Sequence, residues 1–565
     1  MMTRASDPAA ALDSRVKTNS PSPPARPSPD QVPLAQEERE FLWQVEHHGL
    51  LLSRHGFSRL AQALRRNEPA GFQALLADDF EGRVLDQPKE TSLETPYVRV
   101  LRQQDSGHAP AALDRSGFVA RLFADRARFS RSPQVKLALM ALAPVDRKNL
   151  DGLWEGTCQL RMWGEMGLGQ PGEVLSYLRY RLPRPTEDLL KGQGWLRFAS
   201  LTQRQVSESP RFLFREVAAE RGIATAKLHD NWKKGSTLET FSGGVYLCDY
   251  NRDGCLDLLV VDFSGNVLYE GRPDGTMSDA TTRVGLPQSA RLEGAAVADL
   301  DNDGWEDLVL GGSAYQNEQG RRFRNRGPIP GLDLTSAASL VVADYDRDGR
   351  LDFFVTALGE MKAASWVGGE GKSVSGNSLW HNDGDWHFTN VTKTSGATGG
   401  DRSTFTAVWL DADEDGWPDL YVANEFGRGV LLVNRKDGTF REQMVEPEPG
   451  DFGTMGLACG DYDNDGHIDL YAGNMYSKAG NRVIGNLSPG SYPEPVLARL
   501  RALTLGSQVH RNRGGLKFEQ VGRGLLVADV GWAYGPALMD LNNDGWLDIF
   551  ATCGFISQSR DDPDG

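Results

Sequence analysis

Cysteine is scarce in this chain of 565 residues: five are present, Cys158, Cys248, Cys255, Cys459 and Cys553, and no two form a C-x-x-C pair. The odd count and wide spacing argue against a disulfide framework and against a cysteine zinc site. Cys248 and Cys459 lie in apolar runs and read as small buried hydrophobes, with a Cys248–Cys255 clip as the alternative for that pair. Histidine is also rare, and His47 and His48 have no H-E-x-x-H partner, so they read as solvated or packed side chains, as do His381 and His387. Long apolar runs are missing. No stretch reaches the roughly 18 residues that a membrane-spanning helix requires. Nor does the N-terminus show a signal peptide, since Asp7 and Asp13 interrupt it and no apolar run of about 7–15 residues follows. A basic excess is lacking too, because the net charge is −16, with residues 1–210 at +3 and the remainder at −19. That balance disfavours nucleic acid or an anionic membrane as partner.

What the chain has in abundance is one acidic loop, repeated six times as D-x-[D/N]-x-D-G-x-x-D. The positions that would converge are 1, 3, 5 and 9 of each copy. They are Asp249, Asn251, Asp253 and Asp257; Asp299, Asp301, Asp303 and Asp307; Asp344, Asp346, Asp348 and Asp352; Asp411, Asp413, Asp415 and Asp419; Asp461, Asp463, Asp465 and Asp469; and Asp540, Asn542, Asp544 and Asp548. Glycine at position 6 permits the reversal that turns these side chains toward one point. Two carboxylates about 4 Å apart repel by roughly 4 kcal/mol at an effective dielectric near 20, so several together call for a cation. An all-oxygen donor set in a flexible loop suits Ca2+ better than Mg2+, and a loop without His or Cys ligands argues against zinc. Up to six calcium ions are expected, with the Asn251 and Asn542 loops the weaker.

An EF-hand would need Glu at position 12 and a helix after it, whereas Val260, Leu310, Val355, Val422, Ala472 and Ala551 stand there. A β run such as Leu258-Leu259-Val260 follows each loop and a small apolar run precedes it, which places each loop inside a strand-loop-strand hairpin. The copies start 50, 45, 67, 50 and 79 residues apart. A period of about 40–50 residues with several short strands is a propeller signature, one blade per repeat. The long intervals hold Gly-, Ser-, Lys- and Pro-rich excess at about 357–377 and 475–507, read as surface insertions.

With these motifs on the page, residues 211–565 resemble FG-GAP/VCBS repeats, the calcium-binding blades of integrin α-like propellers. Phe214-Arg215-Glu216-Val217-Ala218-Ala219-Glu220-Arg221-Gly222-Ile223, Phe388-Thr389-Asn390-Val391-Thr392 and the hairpin around Asn382-Asp383-Gly384 are similar to the cartilage acidic protein family and its bacterial relatives. The resemblance implies an extracellular or periplasmic setting, cell adhesion, and usually seven blades. Only 17 residues follow Asp548, so the expectation is a propeller truncated at its C-terminus, whose open strand edges promote self-association.

Before the repeats, residues 1–35 are Pro/Ser-rich and read as disordered. Residues 36–207 read as an α+β domain. Helices are expected over 37–66 with a break near Gly56, over 70–77 and over 115–129, then strands at 135–143, 153–165, 174–182 and 195–206. With the string Leu75-Leu76-Ala77-Asp78-Asp79-Phe80-Glu81-Gly82, this order is similar to the nuclear-transport-factor-like (SnoaL-type) cone fold. Such a cone hosts enzymes as well as binding modules, so Asp78 or Asp79, near Trp154 or Trp163, is a possible acid/base. The fold class is therefore multidomain, an α+β cone followed by an all-β propeller. The expected function is a non-catalytic, calcium-stabilised binding or adhesion module for a protein or carbohydrate. The alternative is a hydrolase or isomerase with its pocket in the cone or on the propeller's central face.

Overall fold

The computed structural model describes residues 34–553 except 87–90, 105–109, 230–243, 263, 288–293, 335–336, 359–375, 401, 426–427, 445–450, 452, 523 and 526. Residues 1–33 of the stretch expected to be disordered and most of the 357–377 insertion lie outside the described residues.

The N-terminal part is an α+β unit. Its sheet comprises β1 (Leu76–Arg83), β2 (Thr91–Glu94), β3 (Arg99–Gln104), β4 (Gln134–Pro144), β5 (Leu153–Glu165), β6 (Pro171–Pro183) and β7 (Leu196–Glu208). The strand order is β2-β3-β7-β6-β5-β4, with β1 parallel to β7. Helices α1 (Gln36–Leu51), α2 (Ser58–Arg66), α3 (Pro69–Gln73) and α4 (Arg115–Arg126) accompany it. Near Gly56 the chain does not break, because a π-helical turn, Leu52–Phe57, carries α1 into α2. The helix expected over 70–77 stops at Gln73, and Leu76–Arg83 is a strand whose Leu76, Ala77, Phe80 and Gly82 are buried. Alternation on β5 is as read: Cys158, Leu160 and Met162 are buried together.

The repeats form five four-stranded antiparallel meanders and a two-stranded sheet, each sheet following the last along the chain. Blade one is Val245–Cys248, Asp257–Asp262, Gly265–Gly271 and Met277–Asp279; blade two is Ala295–Ala298, Asp307–Leu310, Ser313–Asn317 and Phe323–Pro328. Blade three is Ala337–Ala343, Asp352–Ala357, Ser378–Gly384 and His387–Asn390. Blade four is Thr404–Leu410, Asp419–Asn424, Val430–Asn434 and Phe440–Gln443, and blade five Thr454–Gly460, Asp469–Asn474, Gln508–Asn512 and Phe518–Gln520. The sixth sheet, Ala533–Met539 with Asp548–Cys553, has two strands. Thus the repeats make a β-propeller of five complete blades among the described residues, fewer than the six or seven expected. Ahead of blade one, the described residues between 211 and 229 form turns and a short 3-10 helix, Thr225–Lys227, and Ala224 donates its N–H to the Tyr269 hydroxyl of blade one.

Neighbouring blades share their cores. Leu259 and Val261 of blade one cluster with Leu308 and Tyr315 of blade two, and Leu420 and Val430 of blade four with Phe354 and Leu379 of blade three. Both faces of a blade are therefore covered, which is why second strands such as Asp352–Ala357 and Asp419–Asn424 are buried at every position.

One polar residue in each of blades two to five fastens it to its predecessor. Asn317, Asn434 and Asn512 end the third strands and Asn382 lies two residues before the end of its own, and their Nδ2 groups donate to Tyr250 O, Leu300 O, Tyr345 O and Ala412 O at 2.8–3.0 Å. Each acceptor is position 2 of the preceding blade's acidic loop. The same amides also donate to their own loop's position 8, as Asn434 does to Pro418 O at 3.0 Å. Replacing Asn434 by Ala leaves two buried carbonyls without donors, each costing about 1–3 kcal/mol. The expected result is a loss of roughly 2–5 kcal/mol, with exchange protection falling in blades three and four before the N-terminal sheet. Hydrogen-exchange mass spectrometry reads this directly, and unchanged protection there would contradict it.

The 475–507 excess is more than a surface insertion. Its first helix, Lys478–Gly485, and the turn after it reach the N-terminal unit. Arg482 forms a forked ion pair with Glu46 of α1 at 2.8 and 2.5 Å, while Glu38 accepts from Ser488 N at 2.7 Å and from Arg147 at 2.6 Å. Burial lowers Arg482 to 11% side-chain exposure, so this pair is screened less than an ordinary surface bridge.

Candidate metal centres

Each acidic loop joins the first and second strands of its sheet, and the Asp at position 9 is the first residue of the second strand. Position 4 takes a left-handed conformation in all six copies: Arg252, Asn302, Arg347, Glu414, Asn464 and Asn543 have φ between 54° and 61°. Position 6 is also left-handed, with Gly254 at 82° and Gly466 at 94°, where a Cβ would be strained.

The backbone then locks the carboxylates. In the third loop Asp344 accepts from Asp348 N at 3.1 Å and Gly349 N at 3.0 Å, and Asp348 accepts from Arg350 N at 2.9 Å. The fourth and fifth loops repeat the pattern, with Asp411 taking Asp415 N and Gly416 N and Asp461 taking Asp465 N and Gly466 N. Position 9 is a buried bracket in the first five loops. Asp419 Oδ2 accepts from Ala412 N at 3.0 Å and its Oδ1 from Asn434 N at 2.8 Å. Burial raises these carboxyls from the usual range, Asp257, Asp419 and Asp469 to about 6 and Asp307 and Asp352 to about 7.

Four loops bring carboxylates together. Oxygens of Asp299, Asp301 and Asp303, of Asp344, Asp346 and Asp352, of Asp411, Asp413 and Asp419, and of Asp461, Asp463 and Asp465 lie within 4.8 Å of one another. The first and sixth loops, with Asn251 and Asn542 at position 3, assemble no such trio among the described residues. One oxygen in each of three of these trios, Asp299 Oδ1, Asp413 Oδ1 and Asp463 Oδ1, is buried yet accepts no hydrogen bond, as is Asn542 Oδ1 of the sixth loop. Buried acceptors left without donors, in an all-oxygen set, fit a hard cation.

Basic side chains compete for position 5, where Arg350 pairs with Asp348 at 2.5 Å, Lys436 with Asp415 at 3.0 Å and Arg511 with Asp465 at 2.9 Å. One further partner comes from outside the loops. His381, on the third strand of blade three, places Nε2 3.1 Å from Asp346 and 3.7 Å from Asp348. From sequence His381 reads as a solvated or packed side chain, and the loop motif itself offers no histidine ligand. It escaped because a loop motif does not show which strand residue folds back over it, although it stands directly before the third-strand Asn.

The loops also touch one another in one direction. Position 4 of one meets position 6 or 7 of the next: Arg252 lies 4.9 Å over the Trp305 ring, Asn302 donates to Gly349 O at 2.7 Å, and Arg347 lies 5.3 Å over Trp417. Glu414 then bonds His467, and Asn464 donates to Gly545 O at 3.1 Å.

The N-terminal candidates do not gather into a site. Asp78 and Asp79 sit on β1 facing solvent, and Asp78, with its side chain 98% exposed, pairs with Arg115 at 2.8 Å. The void between helices and sheet is about 20 Å³ and lined by Phe57, Leu64, Phe118, Cys158, Leu178 and Tyr180 among other apolar groups. Trp154 is sealed against His48, which bonds Pro185 O at 2.7 Å. His47 stacks on Trp43. All five cysteines are free, so no clip joins Cys248 to Cys255.

Comparison with known families places these loops. The FG-GAP-like repeat matches residues 249–310 and 411–472, so the chain carries FG-GAP-like repeats within its β-propeller. Among individual proteins, cartilage acidic protein 1 of Homo sapiens is 26% identical over 149 residues, covering 25% of this chain and 21% of that protein. A cytidylate kinase of Methanothrix thermoacetophila is 28% identical over 152 residues, 26% of this chain and 81% of the kinase. Of solved structures, an Agrocybe aegerita lectin that recognises non-reducing terminal N-acetylglucosamine aligns at 16% identity and a TM-score of 0.35, covering 56% of this chain and 76% of the lectin.

Proposed function

We propose that the propeller is a calcium-stabilised binding or adhesion module, non-catalytic, that engages a protein or carbohydrate in a calcium-rich, extracellular-type setting. The FG-GAP-repeat propeller fold is consistent with a binding role. The observation that carries the calcium reading is the set of buried, donor-free oxygens converging in the acidic loops. When bound, calcium would neutralise the carboxylates and fix each hairpin; Asp299, Asp301 and Asp303, with their counterparts in the other loops, would hold it. Ion binding at sub-millimolar affinity is ordinary for extracellular modules. In this reading residues 36–207 are a cone of the nuclear-transport-factor type that serves as a scaffold, consistent with its small apolar void and the solvent-facing Asp78.

The test is retention of the immobilised full chain on glycan and matrix-protein arrays, in calcium and in chelator. Calcium-dependent retention of a defined partner is expected. Equal retention in both buffers would remove the link between ion and binding.

A further inference from the structure

We propose that the outer edge of blade two is a docking strip for a sulfated polysaccharide, gripped by Arg321, Arg322, Arg324 and Arg326. This rests on the reading of the propeller as a calcium-stabilised module that engages a carbohydrate, and names the class of carbohydrate and the surface that takes it.

Residues 318–328 make the outer turn and the fourth strand of blade two, and they set four arginines against one acid, Glu318. All four arginines are exposed, the side chains of Arg322 and Arg324 at 64% and 58%. The strand is the last of its sheet, and its outer edge pairs with no strand among the described residues. In blade four the matching stretch offsets Arg435, Lys436 and Arg441 with Asp437 and Glu442, and in blade three residues 383–390 hold no Lys or Arg. Positive charge on this otherwise acidic propeller is thus concentrated on one strand.

Glu318 gathers three of the guanidiniums. Arg322 Nε lies 2.5 Å and Arg324 Nη1 3.9 Å from its carboxylate, while Arg321 donates to Glu318 O at 3.4 Å and to Gln319 at 3.0 Å. A guanidinium carries five N–H donors, so one carboxylate leaves most of theirs for a ligand. Arg326 is placed by a bulge: Tyr315 pairs with Asn325 and Ala314 with Gly327, which makes Arg326 the extra residue. Its side chain bonds Gln316 and lies 5.3 Å over the Trp386 ring of blade three. Trp386 has φ 66°, a conformation that bulky residues rarely adopt. Stacked on that ring, Arg326 is pre-set rather than free to swing. Guanidinium forks match the paired oxygens of a tetrahedral oxyanion such as sulfate. From Arg322 to Arg326 the chain runs roughly 13 Å, which suits a row of sulfates along a sugar chain better than a single anion. Gln316 also donates to Asp301 of the second acidic loop at 2.7 Å, so an ion there neutralises an acid one side chain from the strip. Screening leaves charges beyond about 8–10 Å with little effect. A long nucleic acid would instead run off the strip onto acidic surface.

The experiment titrates the full chain with a heparin oligosaccharide, in calcium and in chelator. Binding is expected to be tighter in calcium, to weaken as salt rises, and to vanish for the same oligosaccharide stripped of its sulfates. Arg322→Ser, Arg324→Ser and Arg326→Ser combined should weaken it on the order of 10- to 100-fold, since an exposed ion pair contributes up to about a fivefold factor. Arg435→Ser with Arg441→Ser, in blade four, should leave it unchanged. A readout free of any variant is the modification of arginines by phenylglyoxal in the unaltered protein, where heparin should shield Arg321, Arg322, Arg324 and Arg326. Undiminished binding by the triple variant, or no shielding of these arginines, would overturn the strip. Equal binding of polyglutamate or single-stranded DNA of matching charge would overturn the sulfated sugar as its partner. Heparin held on the strip equally well in calcium and in chelator would keep the strip and overturn the link to calcium in the reading beneath it.

Discussion

Chelation will lower the melting temperature of the propeller and leave the N-terminal sheet nearly where it was. An ion that binds only the folded loop adds about 2.7 kcal/mol at a hundred times its dissociation constant. Four loops assemble carboxylate trios. Filled together they would shift the propeller transition on the order of 10–20 °C. The shift should grow with pH. In the metal-free chain, the position-9 carboxyls are raised by burial to about 6 or 7, above their unfolded values. Their contribution is therefore present below about pH 4 and lost as pH rises through 6–7. Ion binding requires the ionised form, so the gap between loaded and stripped protein widens from pH 5 to 8. Calorimetry with and without calcium at both pH values measures it. Equal shifts in both units, or a gap that narrows as pH rises, would contradict the assignment.

The second large effect lies in the N-terminal unit. Asp125, at the end of α4, pairs with Arg204 on β7, and their side chains are 0% and 1% exposed. Burial pulls the Arg204 guanidinium down to about 10. Arg204 also donates to Leu85 O at 3.2 Å, and Arg128 approaches Asp125 at 3.8 Å. Asp125→Ala leaves Arg204 buried without its counter-ion, and should destabilise the unit by about 3–5 kcal/mol. Replacing both partners, Asp125→Leu with Arg204→Met, removes the stranded charge and should recover most of that loss. Urea unfolding followed by exchange in β7 separates the two outcomes. A double variant as unstable as Asp125→Ala would mean that the pair does not act as a unit.

Much of this was legible in the chain because local rules dominate it. A loop with Asp at 1, 5 and 9 and Gly at 6 dictates its own turn, so the six hairpins fell where the motif stands. Strands β4 to β7 announced themselves by alternation. Leu76–Arg83 did not, since Asp78 and Asp79 interrupt its apolar pattern and its parallel partner, β7, lies more than a hundred residues away. The clasping Asn residues and His381 were hidden for a related reason. Their work is done between blades or across a strand pair, and spacing along the chain is silent on that. The insertion at 475–507 reads as surface from sequence because its Arg482 and Ser488 find their partners, Glu46 and Glu38, more than four hundred residues upstream.

The forward contacts between loops bear on how such a protein could be rebuilt. Arg252 requires an aromatic ring in the next loop, which Trp305 provides, and Glu414 requires the imidazole of His467. Each blade therefore carries an address for its successor. Swapping the second and fourth loops would keep a tryptophan at position 7, yet would set Asn302 before His467 and Glu414 before Gly349. Blades that look like interchangeable cassettes are thus ordered parts, and a shuffled ring would have to be rewritten at positions 4 and 7 together.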